Sequence, residues 1–237
     1  MNLKSFIKKK LSIQLKRDQF IISELKKLPQ SSSLLDVGCG SQRYRKFCDH
    51  LTYFGLDSCE YESDKKKSIR GDNLGLLDKD NKYQYGDTKY ICDCWDMHDV
   101  NDKSIDTILC TEVFEHIPYP LETVREFSRV LKNGGRLILT LPFASTRHMD
   151  PYFFFSGFSD NWVRFALENS GFKKINIIPV GDYYKWMGTE IAKSFNHGSI
   201  ISKLILLPSL LWHLFHKESN ESRNTLCIGY HITAEYE

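Results

Sequence analysis

The sequence has no CxxC pair, no long uninterrupted apolar run and no strong excess of either charge, and each absence narrows what the chain can be. Seven cysteines (Cys39, Cys48, Cys59, Cys92, Cys94, Cys110 and Cys227) are odd in number and scattered. Without paired spacing they outline no zinc site and read as reduced thiols. The most apolar stretch, Ile200 to Phe215, contains Lys203, Pro208 and His213 and falls short of the ~20 residues that span a bilayer. The N-terminal residues have no apolar segment ending in a small-residue cleavage site, so they do not read as a secretory signal, and a cytoplasmic location is expected. The formal charge is +2, yet residues 1 to 28 hold eight Lys/Arg against two Asp/Glu, a local +6 that leaves −4 for the remainder. A body without a basic stripe is not expected to bind nucleic acid.

What is present is apolar material, 41% over 237 residues, enough for one sizeable core. Residues 3 to 28 place Leu3, Phe6, Ile7, Leu11, Leu15, Ile21, Ile22, Leu25 and Leu28 at helical spacing between lysines, and Pro29 with three serines ends the pattern. This predicts an amphipathic segment over 1–30, packed on the body as a lid, with an anionic membrane surface as the less favoured partner. From Ser33 strands alternate with helices: strands at Leu34–Val37, Tyr53–Leu56, Ile105–Cys110, Leu137–Leu141 and Ile175–Val180, and a last one within Leu226–Ala234. The best-defined helix carries Leu121, Val124, Phe127, Val130 and Leu131, with Asn133-Gly134-Gly135 as its left-handed stop. Another runs from Ser159 or Asp160 to Ser170. Strands joined by helices are parallel, so a doubly wound Rossmann-like α/β core is expected over 31–182. A helical insertion over 183–224 precedes the last strand at 225–237; a cap, a dimer contact or a membrane-surface element at 200–215 are its readings. Residues 58 to 88 read as a polar surface excursion.

The chemistry gathers around a strand-loop-helix, Leu34-Leu35-Asp36-Val37-Gly38-Cys39-Gly40-Ser41. A glycine turn of this kind lets a backbone approach a ligand and presents amides at a helix N-terminus. The third glycine of a dinucleotide fingerprint is absent, and Gln42 stands where a glycine would often sit. Asp57 ends the second strand, where a carboxylate can accept both hydroxyls of a ribose. Asp93, in Tyr90-Ile91-Cys92-Asp93-Cys94, ends a third strand and can accept from an adenine amino group.

The blocks LLDVGCGS (34–41), FGLD (54–57), ICD (91–93), SIDTILCTEVFEHIPYP (104–120) and FSRVLKNGGRLILTLPF (127–143) resemble class I S-adenosylmethionine-dependent methyltransferases, closest to the bacterial group associated with polysaccharide and envelope-glycan biosynthesis. His148-Met149-Asp150-Pro151-Tyr152 also looks like that group. The resemblance implies a seven-stranded, mostly parallel sheet with an antiparallel last strand. It implies that Asp36, Gly38, Cys39 and Gly40 frame the methionine part of S-adenosylmethionine, Asp57 the ribose, Asp93 with Cys94 the adenine, and that Thr111 and Glu112 line the methyl side.

Methyl transfer to a hydroxyl needs a base near the methyl. His148 in a loop, with Asp150 to orient it, is favoured, and His116 is the second candidate. Glu112, Glu115, His116 and His148 would also make a two-carboxylate, two-histidine metal set if Glu112 to His116 were helical; this reading is the less favoured. Tyr152-Phe153-Phe154-Phe155, Phe158 and Trp162 divide between core packing and an acceptor surface. The expected activity is O-methylation of a sugar or glycan-related acceptor, with a lipid-linked acceptor as one form of it and a homodimer as a further expectation. A quinone or small-metabolite methyltransferase, an NAD(P)-dependent oxidoreductase and a non-catalytic scaffold are the alternatives.

Overall fold

Leu34, Leu35 and Val37 have no solvent exposure, because β1 (Ser33–Val37) lies at the middle of the sheet with parallel neighbours on both sides. These are β2 (Thr52–Asp57) and β4 (Ile105–Thr111). A continuous apolar run suits a strand covered on both faces. With β3 (Tyr90–Ile91), β5 (Leu131–Pro142), β6 (Phe172–Val180) and β7 (Gly229–Tyr236), the seven strands run in the order β3-β2-β1-β4-β5-β7-β6. Strands β1 to β5 are parallel, and β7 is antiparallel to both β5 and β6. The order reverses between β1 and β4, and ligands of such sheets bind in the crevice outside the carboxyl ends of the strands at this switch point. The computed structural model describes residues 11, 13–60, 84–149 and 151–237.

Helix α1 (Gln14–Leu25) is the described part of the predicted N-terminal amphipathic segment. Ile21, Leu25 and the following Leu28 pack on Leu34, Leu109 and Ile138 of the sheet. Phe20 stacks on His231 of β7 with ring centroids 4.5 Å apart, and Glu24 pairs with Arg136 of β5. The helix therefore lies against the body across four strands, β1, β4, β5 and β7, as a lid reading requires.

Helix α2 (Pro120–Val130) starts with proline at a position where the missing N–H costs nothing and buries Val124, Phe127 and Val130. Its end differs from the expected Asn133-Gly134-Gly135 stop. Leu131 is already extended and pairs with Ile105 of β4. Gly134, at φ +77°, instead turns a bulge inside the start of β5, where the register jumps from Ile105–Leu131 to Thr107–Arg136. Pairing of a fully buried Leu131 in the sheet outweighs one more helical turn. Helix α3 (Asp160–Asn169) starts where expected and is capped by the Ser159 hydroxyl, which accepts from the Trp162 amide.

The 183–224 insertion is three helices: α4 (Tyr183–His197), α5 (Ile200–Phe215) and α6 (Asn220–Thr225). Buried Asp182 ties them to the sheet, accepting from the Lys185 amide at 2.8 Å and the Ser222 hydroxyl at 2.6 Å. Helices α4 and α5 form a hairpin whose small core of Ala192, Leu210 and Leu214 also takes Leu11. Among the described residues, no helix is long and apolar enough to cross a membrane. Of the polar excursion, residues 61–83 lie outside the described residues, and 84–88 return along the glycine loop.

Candidate active site

The glycine loop leaves β1 by turning back on β2. The amides of Gly38 and Cys39 both donate to the Leu56 carbonyl, at 2.9 and 3.1 Å, and the Gly40 amide donates to Asp57 Oδ2 at 2.9 Å. Gly38 sits at φ +67°, and a Cβ there would stand 2.3 Å from Val113 Cγ2, so only glycine fits.

Gln42 is also left-handed, at φ +55°, which costs a non-glycine residue about 1 kcal/mol. Its side chain explains why glycine is not there. The Gln42 amide donates to the Asp87 carbonyl at 2.6 Å and fills a slot beside Gly55 and Gly86, where an added Cβ would come within 2.7 and 2.5 Å of it. With Gly86 N donating to the Gly40 carbonyl at 2.8 Å, this ties the far end of the excursion to the loop.

All nine residues expected at the cofactor, Asp36, Gly38, Cys39, Gly40, Asp57, Asp93, Cys94, Thr111 and Glu112, line one cavity of about 620 Å³ at the switch point. Asp36 is buried, and burial with the neighbouring Asp57 charge raises its carboxyl to about 7, against the opposing 2.6 Å bond from the Tyr53 hydroxyl. Burial also raises Asp57, opposed by the amides of Gly40, Cys59 and Ser58. Asp93 stands in a turn just beyond β3, not at its end as expected, and is raised by burial and by Glu60 and Asp96. A cavity whose carboxylates are held up in this way favours a ligand carrying positive charge and hydrogen-bond donors. Burial pushes the Cys39 and Cys94 thiols up to about 12, which removes them as nucleophiles.

At the other end of the cavity Glu112, Glu115, His116 and His148 meet. The segment Glu112 to His116 is not the regular helix that the four-residue metal set required. Glu112 is at φ +53°, and only Phe114–His116 form a single 3-10 turn. Glu112 therefore points elsewhere, accepting from the Thr140 hydroxyl at 3.0 Å and pairing with Arg17 of α1 at 2.8 Å. Glu115, His116 and His148 remain together. Burial and the nearby Glu112 raise the Glu115 carboxyl. Burial, with His148 adding to it, lowers His116 to about 4, so its ring is neutral near pH 7. The expected orienting partner of His148, Asp150, lies outside the described residues; the ring is instead held through Nδ1 at 2.9 Å from the Thr146 carbonyl.

The aromatic cluster divides as anticipated. Phe155, Phe158 and Trp162 pack with Phe114 in the core, whereas Tyr152 and Phe154 line the cavity and Phe153 packs on His148 at 5.2 Å. Residues that the sequence reading passed over also line the cavity, Gln14, Arg17, Trp95 and Tyr44 among them. Arg17 had only its place on an amphipathic helix as a signal.

A family model described as a methyltransferase domain matches residues 13–188. None of the curated protein sequences compared with the chain matches it. Among solved structures, a SAM-dependent methyltransferase from Archaeoglobus fulgidus is 15% identical, with a TM-score of 0.58 over 99% of this chain and 100% of that one. The Haemonchus contortus phosphoethanolamine N-methyltransferase 2, in complex with S-adenosyl-L-methionine, is 14% identical, with a TM-score of 0.53 over 93% of this chain and 52% of that one. At these identities the likeness is one of fold, and it is the Rossmann-like methyltransferase fold. With the family match over most of its length, the chain belongs to the methyltransferase-domain family and is an S-adenosylmethionine-dependent methyltransferase.

Proposed function

We propose that the enzyme methylates a hydroxyl of a sugar or glycan-related acceptor, and that it meets this acceptor at an anionic membrane surface. In this reading Asp36, Gly38, Cys39 and Gly40 hold the methionine part of the donor, Asp57 the ribose hydroxyls, and Asp93 with Cys94 the adenine. Thr111 and Glu112 face the methyl side. The donor, when bound, supplies an electrophilic methyl on a sulfonium. Raised carboxylates on the cavity wall suit that positive charge, and the open glycine backbone suits close approach, so the residues present fit the cofactor.

The observation that carries the hydroxyl acceptor is the His116–His148 pair. Each ring has its Nδ1 held by a backbone carbonyl, leaving Nε2 able to accept the proton that the acceptor must lose. His148, in the loop that follows β5, is the favoured base. Tyr152, Phe154 and Trp95 offer flat apolar faces in the same cavity, which suit a sugar ring.

The membrane surface is supported by α5. Every exposed residue of this helix is apolar, including Ile200 (78% exposed), Ile201, Leu204, Ile205 (72%), Trp212 and Phe215. Between Glu190 and Glu218 the chain has no acidic residue, while Lys203, His213, His216 and Lys217 flank the face. Leu11, packed beneath α5, directly follows ten residues with four lysines and no acid. An apolar face with cationic flanks suits an anionic lipid surface. The α4–α5 hairpin also borders the His148 loop, where Trp186, Thr189 and Lys193 share a small cavity with His148. These features support a reading in which the enzyme works at the inner face of a membrane, beside a lipid-linked acceptor.

The test is an acceptor screen with labelled methyl donor against nucleotide sugars, lipid-linked glycans and quinone precursors, joined to vesicle sedimentation. Label in a glycan and sedimentation with anionic vesicles, lost in an Ile201→Ser, Leu204→Ser, Ile205→Ser variant, are expected. Label only in quinone precursors refutes the acceptor. A dimer that buries α5 and ignores vesicles refutes the surface.

A further inference from the structure

Three side chains at the methyl end of the cavity bring potential ligand atoms together, and one of them, Glu115, has an oxygen without a hydrogen-bond partner among the described residues. His116 Nδ1 lies 2.6 Å from the Tyr152 carbonyl and His148 Nδ1 2.9 Å from the Thr146 carbonyl. A carbonyl only accepts, so each Nδ1 carries the proton and each Nε2 keeps a free lone pair. The rings meet edge to face with centroids 4.7 Å apart. Between them and the core stands Glu115, 1% exposed, with one oxygen 3.7 Å from His116 Nε2. Its other oxygen, Oε2, is buried and receives no hydrogen bond among the described residues. An unpartnered buried carboxylate oxygen is costly in any fold. Glu115 lines the same cavity as His116 and His148.

We propose that Glu115, His116 and His148 bind one divalent transition-metal cation. One ligand atom from each lies within 4.8 Å of the other two. Some point is then no farther than about 2.8 Å (4.8/√3) from all three, so shifts of roughly 0.7 Å bring them to the ~2.0–2.2 Å of metal bonds. Two imidazoles and one carboxylate select zinc, iron, cobalt or manganese over magnesium or calcium, which prefer all-oxygen sets. The carbonyls on the two Nδ1 atoms are the outer-shell partners that orient histidine ligands. Glu112 is no ligand in this arrangement, because Arg17 and Thr140 hold it.

The consequence for catalysis rests on the methyl-transfer reading above. Glu115, His116 and His148 all line the cavity, so a cation that they held would be within reach of an acceptor hydroxyl there and would make it more acidic. The O–H bond then breaks with its proton going to water, the oxygen pair forms the new C–O bond, and the sulfur–methyl bond breaks with its pair left on sulfur. The histidine lone pairs serve the ion in that case and the ion does the work of the base.

The test reads metal binding directly on the full chain. Co2+ is titrated by visible absorption and by equilibrium dialysis against wild type, Glu115→Gln and His148→Ala, each checked for folding by circular dichroism. The expected result is one Co2+ per chain with ligand-field bands and no thiolate charge-transfer band, displaced by Zn2+ and weakened at least 10-fold in either variant. Absence of binding, binding unchanged in both variants, or a thiolate spectrum from the cavity cysteines overturns the proposal. Calorimetry of S-adenosylmethionine on the same chelator-treated protein is read separately. Donor binding without Co2+ binding removes the ion alone, and Co2+ binding without donor binding removes the methyl-transfer assignment alone.

Discussion

Gln42 offers a direct measure of how the glycine loop is held. Its side chain donates to the Asp87 carbonyl and packs between Gly55 and Gly86, while its backbone is left-handed. Gln42→Ala removes a buried hydrogen bond, worth about 1–3 kcal/mol when the acceptor is left unpaired, and one packed methylene, about 0.8 kcal/mol. It keeps a Cβ on left-handed backbone. The expected loss is about 2–4 kcal/mol. Gln42→Gly loses the same contacts but relieves roughly 1–2 kcal/mol of left-handed strain, part of it offset by the greater freedom of glycine in the unfolded chain. It is expected to be milder than the alanine variant by about 1 kcal/mol. Urea unfolding at constant m-value measures both. Both variants should also weaken donor binding, since the tether aligns residues 84–88 with the loop. A glycine variant less stable than the alanine variant, or an alanine variant as stable as wild type, refutes the reasoning.

Gly38→Ala places a Cβ 2.3 Å from Val113 Cγ2 on left-handed backbone, and it is expected to cost about 2–4 kcal/mol and to weaken the donor at least 10-fold in calorimetry. His231, buried against Phe20, has its ring lowered to about 4 by burial. The unfolded chain therefore takes up a proton near pH 6.5 that the folded chain refuses, and stability falls as pH drops from about 6.5 toward 4. The lost contribution is at most about 3 kcal/mol for some 2.5 pH units. In His231→Phe that part of the acid sensitivity should vanish; urea midpoints of the two proteins that run parallel from pH 7.5 to 4.5 would exclude it. His148→Ala is expected to lower turnover by 10²-fold or more while leaving donor affinity within a few-fold, and unchanged turnover removes it from the reaction.

The sheet was readable because its strands are continuous apolar runs and α2 has a strict apolar spacing; Leu34 to Val37, Val124 and Phe127 are buried as their pattern requires. The cavity walls were readable because the acidic residues close strands, at Asp57, or follow them, at Asp93. What escaped depends on contacts that sequence spacing does not encode. The helix stop was misplaced because Leu131 pairs with Ile105, 26 residues away in the chain. Glu112 was grouped with Glu115 and His116 on the assumption of a helix, whereas its positive φ turns it to Arg17, 95 residues away. Gln42 looked like a departure from a pattern until Gly55, Gly86 and Asp87 were seen around it.

The most direct test of the account is calorimetric titration of the chain with S-adenosylmethionine, its demethylated product and NAD, for wild type and Asp57→Ala. The account predicts binding of the methyl donor and its product to wild type, loss of most of that affinity when the Asp57 carboxylate is removed, and no comparable binding of NAD. Tight NAD binding with no response to the methyl donor, or donor affinity unchanged in Asp57→Ala, would contradict it.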